Sequence, residues 1–239
     1  MRAALEFCSR FFETRIATAE DELRQVHRTR YEVYCRESAY FDPREFPDGL
    51  ERDVYDVHSV QSLLIFRPDV APVGAVRLIL PPRDLRGSDP LPFDHVCERD
   101  TIPDKERLPW ESTAELSRFC VTSDLGSRVV RTLREQGEDG VDGNDVARQA
   151  KLWLMRGLLE MSVKSQVTHW CAVIGPRFLN TLLCLGVHLK PFGPLVDYYG
   201  QRQPCHAEIS ELLVRLKQER REVWDVVTDD GRWTPGSRP

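Results

Sequence analysis

The sequence predicts an α/β (α+β) fold, a mixed and mostly antiparallel sheet with helices on both faces. Three observations point there. Two apolar segments, residues 58–66 and 73–81, are separated by a short turn that begins Arg67-Pro68-Asp69, the pattern of an antiparallel hairpin. A long helical pattern at about 145–166 lies between strand-like stretches at 112–122 and 167–174, as a crossover does. No apolar run approaches the length that spans a bilayer, so the apolar residues are left to build a core. There is no internal repeat and no clear linker, and residues 1–239 are expected to form one domain.

In chain order, residues 9–17 read as a first strand and 18–35 as a helix, with Thr18 as N-cap and Asp21 three residues on. Leu23, Val26, Arg30, Val33 and Tyr34 fall near one face of that helix. Arg30 on the stripe has two readings: a stem that snorkels to water, or a head that reaches a carboxylate in a cleft. Residues 36–57 read as a long acidic loop, a kind that is often functional. It ends in Asp53 and Asp56, whose spacing would aim both carboxylates one way if the turn is helical. After the hairpin, 82–110 is a proline-rich excursion, and 123–143 is polar, Gly-rich and expected to be mobile. Beyond strand 167–174, Gly175-Pro176 opens a short helix over 177–185. Short strands follow near 187–192 and 195–199, then a turn at 199–204, a last strand, an amphipathic basic helix over 208–226, and a Gly/Pro-rich tail from about 228.

Composition narrows the class. Hydrophobic residues make up 41% and charged residues 30%, as in ordinary globular proteins. A net charge of −5 leaves no global footprint for nucleic acid. Charge within the first seven residues argues against a signal peptide. The seven cysteines include no CxxC pair and sit mostly in apolar segments. They fit buried thiols in a reducing, cytoplasmic setting and no zinc site. Cys120 is either an apolar filler or a nucleophile.

The most unusual strand is Glu115-Leu116-Ser117-Arg118-Phe119-Cys120-Val121. Regular alternation would place Glu115, Ser117 and Phe119 on one face and Leu116, Arg118 and Cys120 on the other. A carboxylate, a hydroxyl and a guanidinium in such a strand need partners or a ligand. Arg77 interrupts the second hairpin strand in the same manner.

Four motifs in order carry a resemblance. They are Arg30 with Tyr34; Glu51-Arg52-Asp53-Val54-Tyr55-Asp56; Gly74-Ala75-Val76-Arg77-Leu78; and Glu115-Leu116-Ser117-Arg118-Phe119. The chain resembles the acyl-homoserine-lactone (autoinducer) synthase superfamily, whose fold is similar to the GNAT N-acyltransferases. Gly193-Pro194-Leu195-Val196-Asp197-Tyr198-Tyr199-Gly200-Gln201-Arg202-Gln203-Pro204-Cys205 and the closing Val223-Trp224-Asp225-Val226-Val227-Thr228-Asp229-Asp230-Gly231 look like the N-acyl amino acid synthases, including those associated with PEP-CTERM/exosortase systems. Tyr199 and Gln201 depart from the His and Leu common there.

The resemblance implies an N-acyltransferase that moves a long fatty acyl chain from acyl carrier protein to the amine of an amino acid. No permanently bound cofactor and no metal are implied; the donor is acyl-phosphopantetheine. Amide formation needs a neutral amine, and Glu115 is the candidate base, with a structural ion pair to Arg77 or Arg118 as its other reading. Arg30, Arg77 and Arg118 are candidates for a substrate carboxylate, with Asp53 and Asp56 holding them or binding the ammonium, and Phe119 completing the set. After Val121 no Gly-rich pyrophosphate loop occurs, which favours the carrier protein over acyl-CoA. Arg148, Lys151, Arg156 and Lys164, or Arg215, Lys217, Arg220 and Arg221, could meet that acidic partner or be ordinary solvated faces. Trp170, Phe178 and Phe192 could line an acyl tunnel or belong to the core. Two other functions fit the resemblance: an autoinducer synthase whose amine is S-adenosylmethionine, and a non-catalytic acyl- or carrier-binding module.

Overall fold

The computed structural model describes residues 2–81, 91–104, 107–138 and 142–236. They fall into two compact units. The first holds Met1–Val54, Gln61–Arg77 and Arg118–Leu158; the second holds Tyr55–Val60, Leu78–Ser117 and Leu159–Pro239.

In the first unit, helix α1 (Arg2–Phe11) runs straight into strand β1 (Phe12–Ile16), so the expected first strand loses residues 9–11 to a helix. Leu5, Cys8 and Phe11 recur at helical spacing and are buried, which explains the helix. β1 pairs antiparallel with β2 (Ser59–Phe66), Phe12 facing Phe66 and Ile16 facing Ser62. β3 (Ala71–Ile79) and then β4 (Thr113–Val121) follow in the sheet. Gly74 marks their closest approach: a Cβ there would stand 2.7 Å from the Cys120 carbonyl oxygen, so the motif glycine is a packing requirement. The core between this sheet and α2 (Glu20–Tyr31) contains Val26, Val33, Leu63, Ile65, Ala75 and Cys120, with Leu23 and Tyr34 against it.

Helix α2 begins one residue later than the sequence suggests. Ala19 is its N-cap, and the Glu22 carboxylate accepts the N–H groups of Thr18 and Ala19 at 2.9 and 3.1 Å. A longer acid at the third helical position reaches back where Asp21 could not. At its other end α2 widens into a π turn, Glu32–Glu37, in which the Ser38 N–H reaches the Val33 carbonyl. The stretch expected to be mobile forms helix α4 (Leu125–Glu135), because Leu125, Val129 and Leu133 repeat every fourth residue and bury. Residues 139–141 of that stretch lie outside the described residues. The crossover is helix α5 (Gly143–Lys164).

In the second unit, α3 (Pro92–Val96) is the first regular element of the proline-rich excursion, of which residues 82–90 and 105–106 lie outside the described residues. β4 pairs parallel with β5 (His169–Ile174), Glu115 opposite Cys171. β5 pairs antiparallel with β8 (Gln201–Glu208), which also carries the two-residue strands β6 (Lys190–Pro191) and β7 (Val196–Asp197). β6 and β7 are shorter than expected because Gly193 turns left-handed at φ 59° between two prolines. Gln201–Pro204, read as a turn, belongs to β8; the turn is the left-handed pair Tyr199–Gly200. α6 (Pro176–Cys184) matches the expected short helix. The single basic helix is two, α7 (Ile209–Glu219) and α8 (Arg221–Thr228), because Arg220 leaves helical geometry at φ −144°, ψ 67°.

Candidate active site

Six polar side chains of the first unit form one continuous ladder. At its inner end Arg30, from the last turn of α2, donates through Nε to Glu51 Oε2 at 2.5 Å and through Nη1 to Gln61 Oε1 on β2 at 2.8 Å. Glu51 in turn receives Arg118: Nε lies 3.2 Å from both carboxylate oxygens and Nη2 is 3.0 Å from Oε1. Arg118 Nη2 also donates to Asp53 Oδ2 at 2.9 Å. Asp53 is shared with Arg77 of β3, whose Nη1 and Nη2 reach its two oxygens at 2.5 and 2.9 Å. Such forked guanidinium–carboxylate pairing is directional and strong.

Exposure divides the ladder. Arg30, Glu51 and Arg77 show 0%, 1% and 1% of their side chains to solvent, whereas Arg118 and Asp53 show 17% and 24%. A ligand in solvent can therefore meet Arg118 and Asp53 but not the inner rungs. Burial pushes the Glu51 carboxyl up, but the bonds and charges of Arg30 and Arg118 outweigh it and hold it below the usual carboxylate range. Burial likewise opposes the Arg118 charge and is outweighed by Glu51. The Arg118 guanidinium lies over the rings of Phe41 and Tyr34, 4.9 and 5.7 Å from their centroids. Phe41 and Tyr40 are placed there by the π turn, since both donate backbone N–H groups to the Tyr34 carbonyl. Burial drives the Tyr34 hydroxyl far up, so this wall is uncharged.

Arg118 is also a backbone outlier. It sits at φ 49°, a left-handed conformation inside a strand, and the boundary between the units falls at Ser117–Arg118. The left-handed residue breaks the two-residue repeat, so the faces expected from regular alternation do not continue across it.

Glu115 belongs to the second unit. It is 3% exposed, and Oε2 accepts the Phe93 N–H at 2.8 Å. Phe93 and Cys171, its hydrogen-bond partner and its neighbour across the sheet, belong to a core cluster with Ile79, Leu91, Cys97 and Leu108, against which Trp110 and Phe192 pack. Phe93 stacks on Trp110 at 5.5 Å and meets Phe192 edge-on at 6.4 Å. Burial, joined by the Glu115 charge, pushes the Cys97 thiol up to about 11 and the Cys171 thiol further.

The sequence-derived candidates thus separate. Arg30, Asp53, Arg77 and Arg118 come together in the first unit, where Phe119 is half-buried. Asp56 and Glu115 lie in the second. Asp53 precedes the 3-10 turn Val54–His58 that holds Asp56, so one helical turn does not carry both carboxylates. Glu51 and Gln61 were not singled out as site residues, although both are buried polar groups. Their signals were the first acid of the Glu51–Asp56 motif and an amide beside the apolar run Leu63-Leu64-Ile65-Phe66 of its strand. Cys120 is buried, and its thiol is pushed up to about 12, chiefly by burial, so it is filler. Trp170 is fully buried and donates to Ser162 at 2.9 Å, which makes it core rather than tunnel.

Two further features bear on ligands. The Ser123 N–H, just before α4, is taken by the Glu37 carboxylate at 3.0 and 3.1 Å. On the basic faces, Arg148, Lys164, Arg215 and Arg221 each pair with an acid three or four residues away on their own helix, so much of their charge is balanced locally. Among the described residues no group of three or more His, Cys, Asp and Glu side chains is placed to hold a metal ion, and no helix is long and apolar enough to cross a membrane.

Residues 29–134 match the family described as the acetyltransferase (GNAT) domain. No curated protein sequence matches the chain. Solved structures do. TofI, in a complex with an inhibitor and MTA, superposes with a TM-score of 0.58 at 17% identity, over 89% of this chain and 99% of its own. BjaI, a CoA-dependent acyl-homoserine lactone synthase with MTA, gives 0.56 at 20% identity, over 92% and 88%. The acyl-homoserine-lactone synthase LasI gives 0.53 at 18% identity, over 82% and 88%. The chain has the GNAT-like fold that these proteins carry.

Proposed function

We propose that this GNAT-fold chain is an N-acyltransferase, one domain over residues 1–239, that transfers a long fatty acyl group from acyl carrier protein to the amine of an amino acid. The observation that carries the acceptor is the outer edge of the ladder. Arg118 and Asp53, 2.9 Å apart and partly exposed, offer a cation beside an anion. An α-amino acid carries a carboxylate beside an ammonium, so the two zwitterions are complementary. Arg30, Glu51 and Arg77 act one step back: they hold Arg118 and Asp53 in place. Phe119 and Asp56 are proposed as substrate-binding residues on the sequence motifs that hold them.

The reaction is direct. A general base takes a proton from the acceptor ammonium, the role proposed for Glu115 on its place in the Glu115–Phe119 motif; the freed lone pair attacks the thioester carbonyl; the C–S bond breaks as the amide C–N bond forms; and the second amine proton leaves with the pantetheine sulfur as a thiol. The raised thiols support direct transfer, because a protonated cysteine is a poor nucleophile and no acyl-enzyme is needed. The carrier protein as donor is supported by Glu37. Its carboxylate occupies the N–H just before α4, where a pyrophosphate would need open donors. Seven free thiols, six of them buried, support a cytoplasmic setting.

A second reading, a synthase that acylates S-adenosylmethionine, is favoured by the fold shared with BjaI and TofI, both solved with MTA. One experiment separates the two. Palmitoyl carrier protein is offered with a pool of amino acids and S-adenosylmethionine, free thiol is followed, and products are weighed. An N-acyl amino acid is expected. A lactone with MTA release establishes the second reading, and thiol release with neither product overturns both. Acyl-carrier binding without turnover would leave a binding module.

A further inference from the structure

We propose that His27 is a positioning residue for the acceptor edge: its neutral imidazole sets which way the Gln61 amide points, and through Gln61 it holds the inner end of the ladder; this rests on Arg118 and Asp53 being where the acceptor binds. All the groups concerned lie in the first unit. His27 is half-buried, stands one turn before Arg30 on α2 and touches the ladder twice. Its carbonyl accepts the Glu51 N–H at 3.1 Å. Its Nε2 lies 3.5 Å from Gln61 Nε2, a long contact with the end of the amide that Arg30 does not hold.

A guanidinium only donates, so the end of the Gln61 amide that meets Arg30 Nη1 at 2.8 Å is the oxygen. The NH2 end is thereby turned to His27, and it too only donates. His27 Nε2 must therefore accept, with the ring proton on Nδ1. Gln61 is 2% exposed, so its NH2 cannot trade this acceptor for bulk water. A proton on Nε2 sets donor against donor. Turning the amide over satisfies His27 but sets the NH2 against Arg30, so neither orientation serves both neighbours. The Gln61 main chain is itself held, its carbonyl taking the Ala17 N–H at 2.9 Å. Protonating His27 thus loosens Arg30, whose Nε bonds Glu51 at 2.5 Å, and Glu51 is what holds Arg118. The charged and titratable groups around His27 are Arg24, Arg30 and Tyr31 within a turn of it on α2 and Glu51 from the loop before β2; β2 brings the uncharged Gln61.

Two variants test this. His27→Phe removes the acceptor, and His27→Gln restores one that does not titrate. With palmitoyl carrier protein and the best amino acid, acceptor KM is followed from about pH 8 to about pH 5, the span in which histidines titrate. At the alkaline end His27→Phe is expected to raise KM about 3- to 10-fold, the worth of one hydrogen bond, and His27→Gln to rescue it. Toward the acid end the ratio of wild-type to His27→Gln KM should climb by the same factor, with the kcat ratio flat. The 15N spectrum of the wild type at neutral pH should show His27 protonated on Nδ1 and bare at Nε2. Melting gives a readout independent of the acceptor. The wild type should lose ground to His27→Gln on acidification, because a proton the folded chain resists is bound more tightly once it unfolds. A neutral His27 with its proton on Nε2, or a KM ratio flat with pH while Arg118→Lys raises KM, would overturn this inference alone. An Arg118→Lys with wild-type acceptor KM would remove the acceptor edge and this inference with it.

Discussion

Glu51→Gln is the sharpest test of the ladder. Glu51 is the only acid bonded to both Arg30 and Arg118 among the contacts described, and it and Arg30 are almost fully closed to solvent. Removing its charge takes from the buried Arg30 guanidinium the carboxylate it bonds at 2.5 Å. Breaking a buried pair from one side costs about 3–5 kcal/mol. The lower end applies, since glutamine keeps one acceptor oxygen. At ~2–4 °C per kcal/mol for a chain of this size, the melting temperature should fall by about 6 °C or more. Arg30→Met with Glu51→Gln removes both members of that pair, so the double variant should be more stable than the sum of the single losses implies. The sign with pH follows from the depressed Glu51 carboxyl. Its contribution is present above the ordinary carboxylate range and is lost as pH falls through its folded value. Wild-type and Glu51→Gln melting temperatures should therefore converge on acidification. Thermal melts across a pH series measure this. A loss under about 2 °C at neutral pH, or a gap that does not close in acid, would refute the buried ladder.

The outer rungs should behave differently. Arg118→Lys or Asp53→Asn removes a charge-assisted contact of ~1.5–3 kcal/mol, so acceptor KM should rise about 10- to 100-fold while the melting temperature moves less than for Glu51→Gln. Gly74→Ala forces a Cβ to 2.7 Å from a backbone oxygen and should lower stability by about 1–3 kcal/mol, read from the urea midpoint. Glu37→Gln clears a negative charge from the start of α4 while keeping an acceptor for the Ser123 N–H; KM for palmitoyl-CoA should fall severalfold and KM for the palmitoyl carrier should not. Cys184 is the one exposed thiol, so a thiol reagent should titrate one equivalent in the native protein and all seven in urea.

Much of the fold was legible because periodicity reports burial. The β2–β3 hairpin, the β4 strand and the α5 crossover follow from runs whose apolar spacing has one solution. What failed were local competitions. The end of α1, residues 9–11, and α4 read as strand and loop because the buried residues described there, such as Cys8, Phe11, Val129 and Leu133, are interleaved with polar ones; only packing reveals the stripe. The α7–α8 break at Arg220 follows no Gly or Pro signal. In the site, charged residues inside strands were a sound guide to Arg77, Arg118 and Glu115, since an unpaired charge cannot stay buried. Which acid meets which arginine is a tertiary fact. Sequence therefore weighed Asp53 and Asp56 alike, and passed over Glu51 although it sits two residues from Asp53.

The left-handed residue at Arg118 ties these threads together. A non-glycine residue at φ 49° costs on the order of 1–3 kcal/mol unless its surroundings impose it. Here they do: Glu51 and Asp53 take the guanidinium from two sides and Phe41 and Tyr34 cover it, so the side chain fixes the backbone. Arg118→Gly would ease the backbone but would also release the two acids from their shared cation, leaving Arg30 and Arg77 as their remaining guanidinium contacts among those described. The strain and the ladder are therefore one device. The sequence places a guanidinium where a strand would tolerate glycine better, and the ladder holds it there with one edge toward solvent. That edge is where the proposed acceptor must bind, so Arg118→Gly should keep the fold better than Glu51→Gln does and lose more activity than Arg118→Lys. A glycine variant with wild-type acceptor KM would separate the strained backbone from substrate recognition and overturn that link.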